Sequence, residues 1–154
     1  MKVLTLGLIR ENDKILLGMK KRGFGEGRWN GFGGKVEEGE TIEEGMKREM
    51  FEECSIKVNE SEKKGVITFV YANDGKEMQV HIYQVTKYSQ EPIETEEMKP
   101  QWFDLDKIPF DQMWPDDKIW MPIFLAGKKF SGTVYFKDTN TITSHDIKKT
   151  EILI

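Results

Sequence analysis

Glu49, Glu52 and Glu53 fall within five consecutive residues of a stretch, residues 41–54, whose apolar spacing is helical. At ~100° per residue, Ile42, Met46, Met50 and Cys54 form one apolar stripe. Glu49 and Glu53 lie ~20° to either side of the direction of Ile42, and Glu52 lies a step further round beside Gly45. A carboxylate aimed at a buried face is costly unless it is compensated. Lys47 and Arg48 are the positive charges at hand in this segment, too few for so many glutamates. A hard divalent cation resolves the conflict, because it takes oxygen ligands, and Mg²⁺ typically combines one or two carboxylates with substrate phosphates. The alternative on spacing alone is a solvated acidic face with i,i+4 partners; the metal reading is favoured.

The preceding loop, Trp29-Asn30-Gly31-Phe32-Gly33-Gly34-Lys35, brings bare backbone close to the helix. Two phosphate-binding motifs are excluded. Trp29 and Val36 stand where a Walker A loop needs Gly and Ser or Thr, and Val36 also takes the place of the third glycine of G-x-G-x-x-G.

Several elements must position these residues. Residues 3–10 and 15–21 read as strands joined by a turn at Glu11-Asn12-Asp13-Lys14. Thr41-Ile42-Glu43-Glu44 is a capping box that opens the helix. Residues 65–72 and 76–87 flank Asn73-Asp74-Gly75, a hairpin signal. Residues 101–105 read as a further strand. Asp116 or Asp117 is placed to cap a second helix reaching Gly127, which Pro122 should shorten or kink. Residues 130–137 and about 141–153 read as a closing hairpin around Asp138-Thr139-Asn140. Strands in both halves with two helices between them predict an α+β fold with helices packed on a mixed sheet.

The chain has 154 residues, 38% apolar and 32% charged, which fits one globular domain over 1–154. No apolar run approaches the ~20 residues of a membrane-spanning helix. The net charge of −4 argues against binding a nucleic acid polymer, which relies on a basic surface. It does not argue against a nucleotide whose phosphates are carried by metal. Cys54 stands alone, so no disulfide framework or cysteine-rich zinc site is expected. With no secretory or transit pattern at the N-terminus, a monomer resident in the cytoplasm is the expectation.

Gly34, Glu40, Arg48-Glu49-Met50 and Glu52-Glu53, followed by Ile56, reproduce the spacing G-x5-E-x7-R-E-U-x-E-E-x-G-U, with U aliphatic. This resembles the box of the Nudix hydrolases; the departure is Ser55, where the box has Gly. Residues 17–44 and the segments Trp102-Phe103, Ile108-Pro109-Phe110 and Met113-Trp114-Pro115-Asp116-Asp117 resemble the subgroup that cleanses the nucleotide pool. The resemblance implies an α/β/α sandwich with a central mixed sheet. It implies hydrolysis of oxidised purine nucleoside triphosphates, such as 8-oxo-dGTP and 2-hydroxy-dATP, to monophosphate and pyrophosphate. It assigns Mg²⁺ to Glu49, Glu52 and Glu53, with the Gly33 carbonyl and Glu97 completing the shell, and makes Glu53 first choice for activating water. Arg48 is expected to fix the glutamates by ion pairing, with a phosphate contact as the alternative. Asn30, Asp116 and Asp117 are implied to read the base, and Trp114 to stack on it. Thr5, Phe24, Phe69, Met78 and Trp120 match pocket-lining positions, and Lys20 is placed to touch the nucleotide. Without the resemblance, Asp116-Asp117 reads as a helix cap and Trp114 as core. Lys21 and Arg22 read as solvated, His81 and His145 are assigned no chemistry, and residues 143–154 read as a last strand. Two rivals remain at this point: a Nudix enzyme for another nucleoside diphosphate derivative, and a non-catalytic binding module.

Overall fold

Period-two patterning builds the scaffold that carries these residues. The computed structural model describes residues 1–153. Strand β1 (Lys2–Glu11) turns at Asn12-Asp13 into β2 (Lys14–Lys20), with Ile9 opposite Leu16 and Glu11 opposite Lys14. β2 then leaves β1 to pair with β3 (Trp29–Asn30) on one side and β6 (Met98–Asp104) on the other. The glycine loop takes over the edge of β1 that β2 vacates, through bridges Gly7–Phe32 and Leu4–Lys35. On its other edge β1 runs parallel to β5 (Glu77–Ser89), which is hairpinned to β4 (Lys57–Tyr71). β4 in turn runs parallel to β7 (Phe130–Asp138), and β8 (Thr141–His145) and β9 (Lys148–Lys149) pair back onto β7.

Alternation along β1 divides the core. Leu6 and Leu8 face one way, into a cluster with Ile67, Phe130, Val134 and Phe136 that receives Trp120, Met121 and Phe124 of helix α2 (Asp117–Leu125). Ile9 faces the other way, into a cluster with Phe32, Tyr83 and Val85 that receives Met46, Met50 and Cys54 of helix α1 (Ile42–Cys54). A mixed sheet with a helix on each face is the expected α/β/α sandwich.

Four strands differ from the sequence reading: β4, read as 65–72, already begins at Lys57. β3 has only two residues and no periodicity to reveal it. The strand expected at 101–105 begins at Met98, because its pairing with β2 extends to Met98 opposite Lys20. The closing strand is interrupted after His145, where the Asp146 carboxylate accepts the Thr133 amide proton at 2.6 Å and replaces a ladder bond. Helix α2 accommodates Pro122 but ends three residues later, at Leu125.

Both ends of α1 follow from local chemistry. The Thr41 hydroxyl accepts from Glu44 N at 3.1 Å, and the Glu44 carboxylate accepts from Thr41 N at 2.9 Å. At the other end Ser55 adopts a left-handed φ of 64° while its N–H closes on Phe51 O at 2.9 Å. This is the conformation for which glycine carries no Cβ penalty. Ser55→Gly is therefore expected to leave activity unchanged and stabilise the fold by up to about 1 kcal/mol. Thermal unfolding checks this; a lowered Tm would remove strain at Ser55 from the account.

Candidate active site

The two core halves and the glycine loop enclose a cavity of about 330 Å³. Thr5, Lys20, Phe24, Asn30, Gly33, Glu53, Phe69, Met78, Trp114, Asp116, Asp117 and Trp120 all line it. Each substrate-contact position expected from the sequence thus falls on one surface. Leu4 and Leu6 of β1, Phe69 and Tyr71 of β4, and Met78, Val80 and Ile82 of β5 form its apolar wall, as alternate residues of adjacent strands must.

One end is acidic and lies against α1. Gly33 passes so close to β1 that a Cβ there would sit 1.8 Å from the Thr5 carbonyl oxygen. This close passage lets Gly33 N donate to Glu53 Oε1 at 2.8 Å. The Glu53 carboxylate is only 4% exposed, and its cationic partner is Lys20, at 3.9 Å from β2. Burial is the largest influence and pushes its pKa up to about 8, against the opposing pull of Lys20 and the Gly33 amide. Glu49 is also raised, chiefly by burial, although Arg48 pulls it down. A Cβ on Gly34 would fall 2.7 Å from the Glu49 carboxylate carbon, so only glycine leaves that carboxylate its place beside the loop.

Arg48 is the hub of the rest. Its Nε and Nη2 donate to the two oxygens of Glu40 at 2.7 and 2.9 Å, and Nη2 also donates to Lys35 O at 3.0 Å. Its Nη1 donates to Glu49 at 2.9 Å and to Glu52 at 3.3 Å. The bidentate bond to Arg48, foremost, holds the Glu40 carboxyl down at about 2. Lys47, which the sequence offered as a second neutraliser, pairs instead with Glu43 at 3.5 Å, one turn back. Lys20, remote in sequence, takes that part.

Glu97 is anchored from below. Arg22 Nε donates to its Oε1 at 3.1 Å, and the Thr95 hydroxyl accepts Glu97 N while donating to Glu53 O at 2.8 Å. Lys21 reaches Thr95 O at 2.8 Å and pairs with Glu94. Lys21 and Arg22 remain solvent-exposed, as expected, and also pair with the 91–97 loop. Glu53 points into the cavity, Glu49 and Glu52 turn to Arg48, and Glu97 turns to Arg22. Among the described residues no three carboxylates or imidazoles converge closely enough to ligate one ion. Like charges separate, and each takes the nearest donor. The donor set nevertheless fits a hard divalent cation: it is all oxygen, and Glu53 is buried with a single lysine at the limit of ion-pair distance.

The other end holds a buried pair of aspartates. Asp116 and Asp117 are 3% and 2% exposed. Asp116 is the N-cap residue just before α2 but makes no side-chain capping bond; its Oδ2 accepts from Trp120 Nε1 at 2.8 Å. Asp117 Oδ2 has no hydrogen-bond partner. Burial raises both carboxyls, and the neighbouring Asp116 charge drives Asp117 further. Asn30 spends its Oδ1 on Gly31 N at 2.8 Å. Trp114 lies at the mouth, stacked with Phe24 at 4.9 Å and with Arg28 4.2 Å over its ring. Arg28 in turn donates to Thr139 O and Asn140 Oδ1 of the β7–β8 turn. Arg28 and Tyr71 were missed in the sequence. Tyr71 follows Phe69 by two residues on one strand, a period-two signal; nothing local marks Arg28. His81 is buried outside the cavity, bonded through Nε2 to Gln79 at 2.8 Å, and burial lowers it to about 4, so it is neutral.

The comparisons agree with this geometry. The NUDIX domain matches residues 1–124. The chain is 50% identical over 147 residues to the oxidized purine nucleoside triphosphate hydrolase of Mus musculus, covering 96% of this chain and 94% of that protein. It is 49% identical over 152 residues to the protein of the same name in Danio rerio, covering 99% and 97%. Among solved structures it resembles a mutator MutT protein from Bacillus halodurans, with a TM-score of 0.84, 27% identity, and coverage of 96% and 98%.

The raised pKa of Glu53 has a consequence for stability. Between its ordinary value of 4.5 and about 8 the native state holds a proton that the unfolded chain has released. Its contribution is full below the lower value and is lost as pH rises towards the upper one. In chelator, the Tm of the wild type should therefore fall between about pH 5 and about pH 8 more steeply than that of Glu53→Gln. Parallel Tm profiles for the two proteins would place Glu53 in water rather than in the interior.

Proposed function

The chain belongs to the NUDIX family, and from that premise we propose that it hydrolyses oxidised purine nucleoside triphosphates, such as 8-oxo-dGTP and 2-hydroxy-dATP, to the monophosphate and pyrophosphate. The observation that carries this reading is one cavity with a buried aspartate pair at one end and a buried glutamate of the family's box at the other.

Each end has a distinct task. The aspartate pair holds one proton, so Asp117 donates from one oxygen and accepts at the other, while Asn30 keeps its amide N–H groups for the base. Moving that proton within the pair presents a different face, which lets one pocket take an oxidised guanine or a modified adenine. Trp120 holds Asp116 in place through its indole N–H. Trp114 offers its ring to the purine when Phe24 or Arg28 yields a face of it.

At the acidic end, Glu49, Glu52 and Glu53, with the Gly33 carbonyl and Glu97, would hold the divalent ion that Nudix hydrolases generally use, which we take to be Mg²⁺. Bound there, the ion supplies neutralisation of phosphate charge and a lowered pKa for the attacking water. Lys20 lines the cavity beside Glu53 and offers a positive charge to the phosphates. Arg48 fixes the rotamers of Glu49 and Glu52 through Nη1 and ties them to the loop through Glu40. Glu53, once ionised, takes the proton of the water that attacks phosphorus, and pyrophosphate leaves. The substrate is a small nucleotide, and a monomer working in the cytoplasm without a nucleic acid polymer is consistent with the net charge of −4. No described helix is long and apolar enough to cross a membrane.

The purified protein with Mg²⁺ is to be offered 8-oxo-dGTP, 2-hydroxy-dATP, dGTP, ADP-ribose and a cap analogue, with the products resolved. Preferential conversion of the two modified purines to monophosphate and pyrophosphate is expected; turnover confined to ADP-ribose or cap would overturn the base-site reading. Glu53→Gln is expected to lower kcat by at least ~10²-fold while the fold persists. Asp116→Asn, which cannot share a proton, is expected to change the ranking of oxidised guanine against modified adenine. An unchanged ranking would sink the shared-proton account.

A further inference from the structure

The base end of the cavity contains one more polar group than the mechanism uses. Tyr71, the last residue of β4, lines the cavity and is only 6% exposed. Its ring is stacked on Phe136 at 5.0 Å and 15°, and that packing fixes where the hydroxyl sits. Among the described residues nothing hydrogen-bonds that hydroxyl. It is close enough to Asp116 and Arg28 to feel both charges. Burial first and then Asp116 push its ionisation up, so it is a neutral O–H across the physiological range.

The hydroxyl opens onto the cavity with no hydrogen-bond partner among the described residues, so it is free to bond whatever fills that space. The wall around it is otherwise apolar, made of Phe69, Met78, Val80 and Ile82. A hydroxyl held in such a wall rewards a ligand that presents a polar atom to it and penalises one that presents C–H. It both donates and accepts, so it adapts to either kind of polar atom. An oxidised purine differs from its parent by such atoms: an added carbonyl or hydroxyl oxygen, and in oxidised guanine a ring nitrogen converted from acceptor to N–H.

We propose that the Tyr71 hydroxyl is a further specificity-determining group of the base site, hydrogen-bonding the added polar edge of the modified purine alongside Asn30 and Asp117. The inference rests on the reading of the cavity as a nucleotide site. It adds a donor–acceptor that belongs to the sheet, not to the loop or α2. Because the hydroxyl touches the base and not the phosphates, its effect falls on binding and leaves the chemical step alone.

The test is Tyr71→Phe, which removes one oxygen and keeps the ring stacked on Phe136. KM and kcat are measured for 8-oxo-dGTP, 2-hydroxy-dATP and dGTP, and affinities for the corresponding monophosphates are measured by calorimetry in chelator. The expected result is a KM and a monophosphate Kd raised ~5–10-fold for at least one modified purine, with kcat and the dGTP values changed less than about twofold. A wild-type preference for modified purines that survives unaltered in Tyr71→Phe overturns this proposal and leaves the function standing. Equal losses on all three substrates with a lowered Tm also overturn it, by making Tyr71 merely structural. A wild type with no preference for modified purines removes the function itself, and the proposal with it.

Discussion

A carboxylate that is 4% exposed must find its compensation in the protein, and the backbone around Glu53 is arranged to supply it. The Gly33 amide can reach Glu53 only because the loop passes β1 at a distance no side chain would permit. Lys20 can reach it only because β2 has left β1 and paired with β3 and β6. The Thr95 hydroxyl, bonded to the Glu53 carbonyl, ties the same residue to the loop that carries Glu97. The division of the sheet, the close passage of the glycine loop and the docking of residues 91–97 all converge on one buried negative charge. Compensation is incomplete, since burial still outweighs both partners and holds the carboxyl at about 8. A site left short of positive charge at that point is prepared for a cation.

The two ends of the cavity use burial for opposite purposes. At one end, two adjacent buried carboxyls are both raised, and on the proposed reading the pair keeps a proton and serves as donor as well as acceptor to a base. At the other end, Glu53 is raised by burial, and on the proposed reading it would give up its proton when positive charge arrives. Between them lies an apolar wall of alternate strand residues that contributes shape. Arg28 links the mouth to the far side of the sheet: it lies over Trp114, acts on both aspartates, and is bonded to the β7–β8 turn.

Arg48 shows why a conserved-looking box need not be a ligand set throughout. One guanidinium satisfies Glu40 bidentately, Glu49 and Glu52 through the same Nη1, and a backbone carbonyl of the loop. Three carboxylates on one face of the assembly would repel one another; a planar cation with five donors holds them apart and oriented.

Much of this was legible in the chain alone. The helix at 41–54, its capping box, its apolar stripe and the placing of glutamates against that stripe follow from a 3.6-residue period and from the cost of buried charge, both local properties. The left-handed turn at Ser55 fits the resemblance instead, since the box has Gly at that position just past the last helical turn. What tertiary structure decided is which distant groups answer those local demands. Lys20 replaced Lys47 as partner of the buried carboxylate, Lys21 and Arg22 paired with the 91–97 loop, and Asp116 gave its oxygen to Trp120 rather than to the helix end. The unspent hydroxyl of Tyr71 likewise acquires meaning only when β4, β7 and α2 close around it. Periodicity reports which face of an element is buried; it carries no information about what lies across the space that the face encloses.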